Sequence, residues 1–222
     1  MTYALAFDIY GTLIDPHGVV EELQQLLGDR AAEFSRVWRE KQLEYTWRRG
    51  LMDRYEDFGV CTRQALDYAD QVFRTSLDEA ARESLMRAYR VLPAYPDVPA
   101  ALELLSNADC RLFPFSNGTA EMVGAVIRHA GIDHFFEDIV SVDRLRTFKP
   151  DPAVYRHMIE IAGVDPANCW LVSSNGFDVI GAVSAGMKAA WLKRTDGVVF
   201  DPWSIEPTAV IAGLDELPDV IG

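Results

Sequence analysis

Short apolar runs alternate with amphipathic segments over much of the chain. Residues 3–8 read YALAFD, an apolar run that ends in a carboxylate and is followed by Gly11 and Thr12. Such a run is typical of a strand buried on both faces, with a polar loop at its carboxyl end. Five further strands are predicted in the same way, at 112–117, 138–143, 169–175, 188–194 and 208–213.

Helical patterns fill most of the intervals between these strands. Helices are predicted near 98–107 and 120–130, and Asp151-Pro152 supplies an N-cap and a first-turn proline for a helix ending at Gly163. Alternation of strand and helix is typical of α/β proteins. The sequence therefore predicts a Rossmann-like open parallel sheet with helices on both faces. Ligands bind such sheets at the carboxyl ends of the strands.

Residues 16–92 differ from the rest, because they show helical spacing and no strand candidate. Leu77, Ala81 and Leu85 form one such series, and Ser76-x-x-Glu79 before them has the capping-box pattern that starts a helix. Three prolines between residues 93 and 99 mark the return to the alternating pattern. We therefore predict a core domain formed by residues 1–15 and 93–222. An all-helical cap is inserted at residues 16–92.

Pro114 conflicts with the strand predicted around it, since a proline inside a sheet removes one ladder hydrogen bond. We expect either a bulge at this position or a missing donor that faces no neighbouring strand.

The composition is that of an ordinary globular protein, with 49% hydrophobic and 25% charged residues. The formal net charge of −13 disfavours nucleic acid and anionic membrane surfaces as partners. The first residues lack the features of a signal peptide, and no apolar run approaches the length of a membrane span. The three cysteines have no metal-binding spacing. These features predict a cytoplasmic protein that acts on a small molecule.

Polar residues cluster at four places where the predicted sheet meets its loops. They are Asp8 with Tyr10 and Thr12, Ser116-Asn117, Lys149-Pro150, and Ser173-Ser174-Asn175 with Asp178. Each group alone has an ordinary explanation as a loop cap, a turn, a solvated loop or a helix start. The parallel-sheet rule nevertheless brings all four to one edge of one sheet, which predicts a single site there.

These four groups, in this order and at these intervals, resemble the four motifs of the haloacid dehalogenase superfamily. The segment Trp38-Arg39-x-Lys41-Gln42-Leu43-Glu44-Tyr45-Thr46-Trp47 resembles the arginine-bearing cap helix of its L-2-haloacid dehalogenase branch. The resemblance covers nearly the whole chain. It implies hydrolysis of short (S)-2-haloalkanoic acids to (R)-2-hydroxyalkanoic acids and halide. The implied route has an aspartyl-ester intermediate and inverts configuration at C2.

Two departures from the superfamily's phosphatases favour the dehalogenase branch. The phosphatases carry a second Asp two residues after the nucleophile, which protonates the leaving group, and here that position is Tyr10. A halide leaves as a stable anion and needs no proton. The phosphatases also hold Mg²⁺ with acids of the fourth motif, whereas Ser173, Ser174 and Asn175 leave Asp178 as its only acid here. We therefore expect neither a metal nor another cofactor.

The resemblance also implies the catalytic roles. Asp8 attacks C2 of the substrate and displaces the halide, and water then cleaves the resulting ester at the Asp8 carbonyl carbon. Lys149 holds the Asp8 carboxylate ionised, because a neighbouring cation favours the charged form. Asn175 and Asp178 position or activate the water. The residues that tie this network together are Thr12, Tyr155 and Ser173.

The substrate contacts follow from the same resemblance. Arg39, with Asn117, would hold the departing halide, since a guanidinium is always charged and presents several donors. Ser116 and the backbone N–H groups after Asp8, beginning with Ile9, would bind the substrate carboxylate. The residues that match the family's apolar pocket are Tyr10, Leu43, Phe58 and Phe177, the last in place of a tryptophan often found there.

Two other functions stay open from the residues alone. One is a metal-dependent phosphomonoesterase of the same fold, and the other is a catalytically silent binding protein. Tyr10 and the Ser-Ser-Asn stretch disfavour the first, and the intact set of Asp8, Lys149, Asn175 and Asp178 disfavours the second. The family tendency implies a homodimer formed through cap and core helices.

Overall fold

The computed structural model describes residues 2–108 and 110–221. Residues 1 and 222, the ends of the predicted core domain, and Asp109 lie outside the described residues. Within those ranges six strands form one sheet in the order β3-β2-β1-β4-β5-β6, and every neighbouring pair is parallel. The strands are β1 (Tyr3–Phe7), β2 (Cys110–Ser116), β3 (Val140–Ser141), β4 (Cys169–Ser173), β5 (Lys188–Leu192) and β6 (Ala209–Ile211). The predicted open parallel sheet is confirmed.

β1 lies at the point where the strand order reverses. The chain passes from β1 outward to β2 and β3 on one side, and β4, β5 and β6 then extend the other side. Loops that leave neighbouring strands on either side of such a point diverge around a crevice, where open α/β sheets bind ligands. Asp8 directly follows β1, Asn117 directly follows β2 and Ser174 directly follows β4. The fold thus brings these predicted site segments to one crevice.

Residues 16–92 are helical, as predicted. The α-helices in this segment are α1 (Val20–Leu27), α2 (Ala31–Leu51), α3 (Phe58–Phe73) and α4 (Glu79–Ala88). α2 packs against α3 and buries Phe34, Trp38, Gln42 and Thr46, at the four-residue spacing that keeps side chains on one helix face. The Trp38 indole N–H donates to the Thr62 carbonyl of α3 at 2.9 Å. This hydrogen bond therefore joins α2 to α3.

The two ends of this helical segment lie side by side. The Asp15 N–H donates to the Pro93 carbonyl, and the Tyr95 N–H donates to the Leu13 carbonyl, both at 3.0 Å. The chain therefore leaves the sheet and returns to it at one place. This pairing supports the domain boundaries, which stay a prediction; residues 16–92 are called the cap below.

Helices cover both faces of the sheet, and alternate side chains of β1 pack on opposite layers. Leu5 and Phe7 belong to one apolar cluster, and Ala4 and Ala6 belong to the other. The α-helices of this part of the chain are α5 (Val98–Ser106), α6 (Ala120–His129), α7 (Pro152–Ala162), α8 (Gly176–Ser184) and α9 (Leu217–Ile221). Over residues 2–108 and 110–221, none of the helices combines the length and apolar character needed to cross a membrane.

Pro114 occupies a position in β2 that requires no ladder donor. The parallel register between β1 and β2 is continuous up to Pro114 opposite Phe7, so the alternative of a bulge is wrong. On the other edge of β2 the Leu112 carbonyl accepts from the Glu137 N–H at 3.0 Å, and strand alternation directs residue 114 to that same edge. β3 pairs with β2 only from Phe115 onward, so the missing N–H faces no strand.

Two local sequence predictions are wrong. β3 has only two residues, because Val142–Leu145 form a 3-10 turn capped by the Ser141 hydroxyl, which accepts from the Asp143 N–H at 3.2 Å. Helix α4 begins after Asp78, whose carboxylate caps the first turn, and not after Ser76. At β3 the Ser141 side chain caps the 3-10 turn and thereby ends the strand, and at α4 the Asp78 side chain caps the helix in place of Ser76.

Gly181 on α8 allows a close approach of α7. A Cβ atom at this position would lie 2.3 Å from the Tyr155 hydroxyl oxygen and 2.5 Å from its Cζ. Because Tyr155 is fully buried, its ring has no open space into which it could turn.

We expect Gly181→Ala to destabilise the protein by about 1–3 kcal/mol, because the Tyr155 ring would have to move within a packed core. This cost outweighs the roughly 1 kcal/mol by which alanine is favoured over glycine inside a helix. Gly124→Ala on α6 is the matched control, since its Cβ would first meet the tip of the flexible Arg128 side chain, at 3.0 Å. Urea unfolding measures both variants, and equal free energies of unfolding would contradict the packing argument.

Candidate active site

Asp8 lies at the centre of the site, directly after β1. Its Oδ2 accepts hydrogen bonds from Asn175 Nδ2 at 2.7 Å, from the Thr12 hydroxyl at 3.1 Å and from the Ser173 hydroxyl at 3.4 Å. Its Oδ1 accepts from Lys149 Nζ at 3.1 Å. Donors from three separate stretches of chain therefore fix this carboxylate, and the two oxygens differ in how many donors they receive.

Lys149 joins Asp8 to a second carboxylate. It is 1% exposed, and its Nζ also donates to Asp178 Oδ2 and to the Phe115 carbonyl, both at 2.8 Å. An ammonium group has three protons, and these three acceptors use all of them. The lysine is therefore held in one position by its own hydrogen-bonding capacity.

Asp178 is completely buried in the first turn of α8. The Tyr155 hydroxyl donates to its Oδ1 at 2.8 Å. The pKa of Asp178 is raised to about 6, mainly because burial disfavours the charged form. The Asp8 carboxylate adds to this shift, whereas Lys149 and Tyr155 oppose it. A carboxyl group with such a pKa can exchange a proton near neutral pH, which suits acid–base work on water.

A small pocket lies between the core and the cap, and the residues that line it were all predicted from the sequence. They are Asp8, Tyr10, Arg39, Leu43, Phe58, Ser116, Asn117, Lys149, Asn175 and Phe177. Four other predicted residues lie behind the lining of the pocket. Thr12 and Ser173 contact Asp8. Asp178 contacts Lys149, and Tyr155 contacts Asp178. The Ile9 side chain lies in the apolar core, so only its backbone can serve the site.

Two side-chain donors of the pocket are oriented by their neighbours. The Asn117 carboxamide oxygen accepts from the Lys149 N–H at 2.9 Å, which leaves the Asn117 NH₂ group free to donate. Arg39 donates through Nη2 to the Tyr10 carbonyl at 3.0 Å and through Nη1 to Gln42 Oε1 at 2.6 Å. Both groups therefore offer hydrogen atoms at defined places.

Backbone and hydroxyl donors are present as well. The N–H groups of Ile9 and Tyr10 have no acceptor within the described residues. The Ser116 hydroxyl oxygen accepts from the Gly118 N–H at 3.1 Å, so its own hydrogen can serve another acceptor. Donors of this kind, without an acidic partner of their own, are suited to binding an anion.

Comparison with known proteins agrees with this geometry. Residues 3–186 match the family of haloacid dehalogenase-like hydrolases. The chain is 37% identical over 217 residues to (S)-2-haloacid dehalogenase 2 of Pseudomonas sp. (strain CBS-3), an alignment that covers 98% of this chain and 94% of that protein. The chain belongs to the haloacid dehalogenase-like hydrolases.

Two further proteins are similar to nearly the whole chain. Haloacetate dehalogenase H-2 of Moraxella sp. (strain B) is 35% identical over 218 residues, which cover 98% of this chain and 97% of that protein. The L-2-haloacid dehalogenase of Xanthobacter autotrophicus, solved with chloropropionic acid covalently bound, superposes with a TM-score of 0.93 at 33% identity. That superposition covers 100% of this chain and 98% of the other.

The site does not suit the Mg²⁺ ion that phosphatases among the haloacid dehalogenase-like hydrolases hold with acidic side chains. The Lys149 ammonium already contacts both carboxylates, Asp8 and Asp178. Tyr10 stands where the phosphatases place a second acid, and burial raises the pKa of its hydroxyl, so it stays neutral. Over residues 2–108 and 110–221 no three His, Cys, Asp or Glu side chains are grouped to hold a metal. A dication here would compete with a lysine for two carboxylates, which disfavours the phosphomonoesterase alternative.

A cleft of about 250 Å³ adjoins the pocket, and Arg39 lies in the walls of both. The cleft is also lined by Lys193 and Arg194, and no Asp or Glu lines it in the described part of the chain. Asp97 neutralises Arg194 at 2.8 Å, whereas Lys193 has no carboxylate within 4.0 Å among the described residues. A chain with a net charge of −13 thus gathers positive charge beside its pocket, which favours the approach of an anion.

Sequence reasoning missed three residues that support the pocket. Gln42 contacts Arg39, Thr62 contacts Gln42, and the Trp47 ring packs edge-on against Phe177 with centroids 5.2 Å apart. Gln42 follows Arg39 by three positions, the spacing at which helix side chains meet, and this signal could have revealed it. The other two contacts join residues far apart in the chain, for which a single sequence carries no signal.

We expect Tyr155→Phe to raise the pKa of Asp178 by about one to two units, because it removes a hydrogen bond to the ionised carboxylate and such bonds contribute roughly 1.5–3 kcal/mol. The Asp178 carboxyl would then hold its proton to a higher pH than in the unchanged protein. Titration by NMR of ¹³C-labelled aspartate measures the shift, with Tyr3→Phe at the far end of β1 as control. An unchanged or lowered midpoint in Tyr155→Phe would show that the hydroxyl does not stabilise the charge.

Proposed function

We propose that this protein hydrolyses short (S)-2-haloalkanoic acids to (R)-2-hydroxyalkanoic acids and halide, with Asp8 as nucleophile. A relative that aligns over 98% of the chain is named an (S)-2-haloacid dehalogenase, and another that aligns over 98% is named a haloacetate dehalogenase. The observation that carries the proposal is the Asp8 carboxylate, fixed in the wall of a small pocket by Lys149, Asn175, Thr12 and Ser173. No other carboxylate lines that pocket among the described residues.

In the first step we assign the attack to Oδ1 of Asp8. Oδ1 receives one donor, from Lys149, whereas Oδ2 receives three. Oδ1 is therefore the freer nucleophile, and it displaces halide from C2 in line with the carbon–halogen bond. The C2–Oδ1 bond forms as the carbon–halogen bond breaks, and the halide carries away the electron pair. No proton is transferred in this step.

Departure of the halide requires positive charge and hydrogen-bond donors close to the leaving atom. Arg39 and the NH₂ group of Asn117 supply them from opposite sides of the interface between cap and core. The substrate carboxylate would take the donors at Ser116 and at the Ile9 backbone. A small apolar substituent on C2 then faces the aromatic and aliphatic walls of the pocket.

In the second step, water attacks Cγ of the Asp8 ester and the Cγ–Oδ1 bond breaks. Oδ2 is now the ester carbonyl oxygen, and its donors from Thr12, Ser173 and Asn175 stabilise the negative charge that develops on it. The water gives up a proton as it attacks, and the alkoxide of the product takes one up. Asp178, with its raised pKa, is the group we assign to that exchange.

We further propose a cytoplasmic homodimer. The thiols of Cys61 and Cys169 are buried and form no disulfide, which agrees with a reducing compartment. Large apolar side chains on the outer surface of the cap would be covered in a dimer, the most exposed being Leu51 at 90% and Met52 at 60%.

The function is tested by incubation with racemic 2-chloropropionate in EDTA. We expect complete release of chloride from the (S) enantiomer alone and (R)-lactate as the product, because one in-line displacement inverts C2 and ester hydrolysis leaves it untouched. The (R) substrate would have to misplace either its halogen or its carboxylate, at a cost of orders of magnitude in rate. Chiral chromatography of product and residual substrate measures this. Consumption of both enantiomers, retention of configuration, or activity only after addition of Mg²⁺ would contradict the proposal.

The covalent route predicts where the oxygen of water goes. In a single turnover with enzyme in excess in ¹⁸O water, mass spectrometry should find the label in the peptide containing Asp8, and the product should carry ¹⁶O. Asp8→Ala and Asp8→Asn should release no halide, while circular dichroism shows them folded. Label in the product after one turnover would mean that water attacks the substrate directly, and an active folded Asp8→Ala variant would remove Asp8 from the mechanism.

A further inference from the structure

We propose that Gln42, itself held by Thr62, positions the Arg39 guanidinium for the departing halide and thereby controls how well poor leaving groups are released. This inference deepens the proposed function and rests on it. It concerns two residues to which the resemblance to known dehalogenases assigned no role.

A chain of hydrogen bonds runs from the pocket into the cap. Arg39 Nη1 donates to Gln42 Oε1 at 2.6 Å, and Gln42 Nε2 donates to the Thr62 hydroxyl at 2.5 Å. The Thr62 hydroxyl in turn donates to the Phe58 carbonyl at 2.7 Å. The chain begins and ends at residues that line the pocket, Arg39 and Phe58, so it ties one wall of the pocket to another.

The direction of every hydrogen bond in this chain is determined. The Thr62 hydroxyl has one hydrogen, which goes to the Phe58 carbonyl, so its oxygen can only accept from the side chain of Gln42. The NH₂ group of Gln42 must therefore face Thr62, and its carbonyl oxygen must face Arg39. Gln42 and Thr62 are both 0% exposed, so bulk water cannot replace either partner.

The choice of a neutral acceptor for Arg39 has an electrostatic consequence. Gln42 and the Tyr10 carbonyl orient the guanidinium without neutralising it, and no carboxylate lies within 4.0 Å of Arg39 in the described part of the chain. Its full positive charge stays available to an anion in the pocket. A glutamate of nearly the same shape at position 42 would keep the hydrogen bond and cancel much of the charge.

A purely structural role for Gln42 would lower stability and leave the chemistry of the leaving group unchanged. A positioning role for Gln42 would change the chemistry of the leaving group. If Arg39 stabilises the departing halide less well, chloride suffers more than bromide, because chloride is the poorer leaving group. The ratio of kcat for 2-bromopropionate to kcat for 2-chloropropionate therefore separates the two roles.

The chain offers a matched control on the same two helices. Arg49 Nη2 on α2 donates to Gln64 Oε1 on α3 at 2.8 Å, and Gln64 is exposed and outside the pocket. Gln64→Leu removes an arginine–glutamine hydrogen bond, as Gln42→Leu does, although the Arg49–Gln64 bond joins α2 to α3 and the Arg39–Gln42 bond lies within α2. It leaves Arg39 untouched.

The experiment compares Gln42→Glu, Gln42→Leu, Thr62→Val and Gln64→Leu with the unchanged protein. Gln42→Glu should weaken chloride binding about tenfold and raise the bromide-to-chloride ratio of kcat, because a carboxylate in contact with the guanidinium offsets its charge. Thr62→Val should shift both quantities in the same direction by about threefold, because it frees the Gln42 amide to turn. The inhibition constant of propionate should stay within about twofold in every variant, since the carboxylate binds elsewhere.

Chloride binding is measured by broadening of the ³⁵Cl NMR line, which needs no turnover, with Arg39→Ala as the reference for lost binding. Loss of chloride binding in the Gln42 variants, with no dehalogenation by the unchanged protein, would contradict the proposed function and support only the part of the inference in which Gln42 positions Arg39 for a halide. If the unchanged protein dehalogenates, and Gln42→Glu leaves both chloride binding and the bromide-to-chloride ratio of kcat unchanged, the inference alone is contradicted. If Gln42→Leu does not fold, Gln42→Glu and Thr62→Val decide the outcome in the same way.

Discussion

The contact of one buried ammonium with two buried carboxylates is the interaction on which the rest of the site depends. Lys149 lies 3.1 Å from Asp8 and 2.8 Å from Asp178, and these groups are nearly or completely out of contact with solvent. Leaving any of the three charges unpaired in this environment would be strongly unfavourable. Each segment of chain that carries one of them is therefore held in register with the other two. This constraint fixes the relative positions of the groups in the crevice at the carboxyl ends of β1, β2 and β4.

One lysine between two carboxylates also decides what chemistry the site can perform. The cation occupies the place between the acids, so a dication would have to displace it or share its ligands. Arg39 adds a positive charge to the pocket from the cap, and its hydrogen-bond acceptors there, Gln42 and the Tyr10 carbonyl, are neutral. The cap therefore contributes positive charge to a site whose central carboxylate, Asp8, directly follows β1. It also explains how a strongly acidic chain can accept an anion, because its cations are concentrated at the pocket and the adjoining cleft.

The polar residues at the strand ends could be predicted from the sequence for a definite physical reason. Strands buried on both faces read as short apolar runs, so their ends are visible as the first polar residue, as at Asp8 and Ser116. Parallel strands then bring those ends to one edge whatever the loops between them do. The short strand at Val140–Ser141 and the start of α4 at Asp78 were misplaced, because local caps compete within two or three residues.

The sequence by itself determined the succession of strands and helices along the chain and the helical insertion. It also determined the chemical identity of the side chains that meet at the site. It also showed that Tyr10 stands where the superfamily's phosphatases have a second Asp. This replacement changes which reaction is possible, whatever the conformation of the loop. Only the tertiary structure decided which oxygen of Asp8 is left with a single donor, and that Thr62 holds the Gln42 side chain that contacts Arg39. These contacts join residues that are distant in the chain or lie on different helices. Their distances depend on how cap and core pack, and no periodicity along a single chain records that packing.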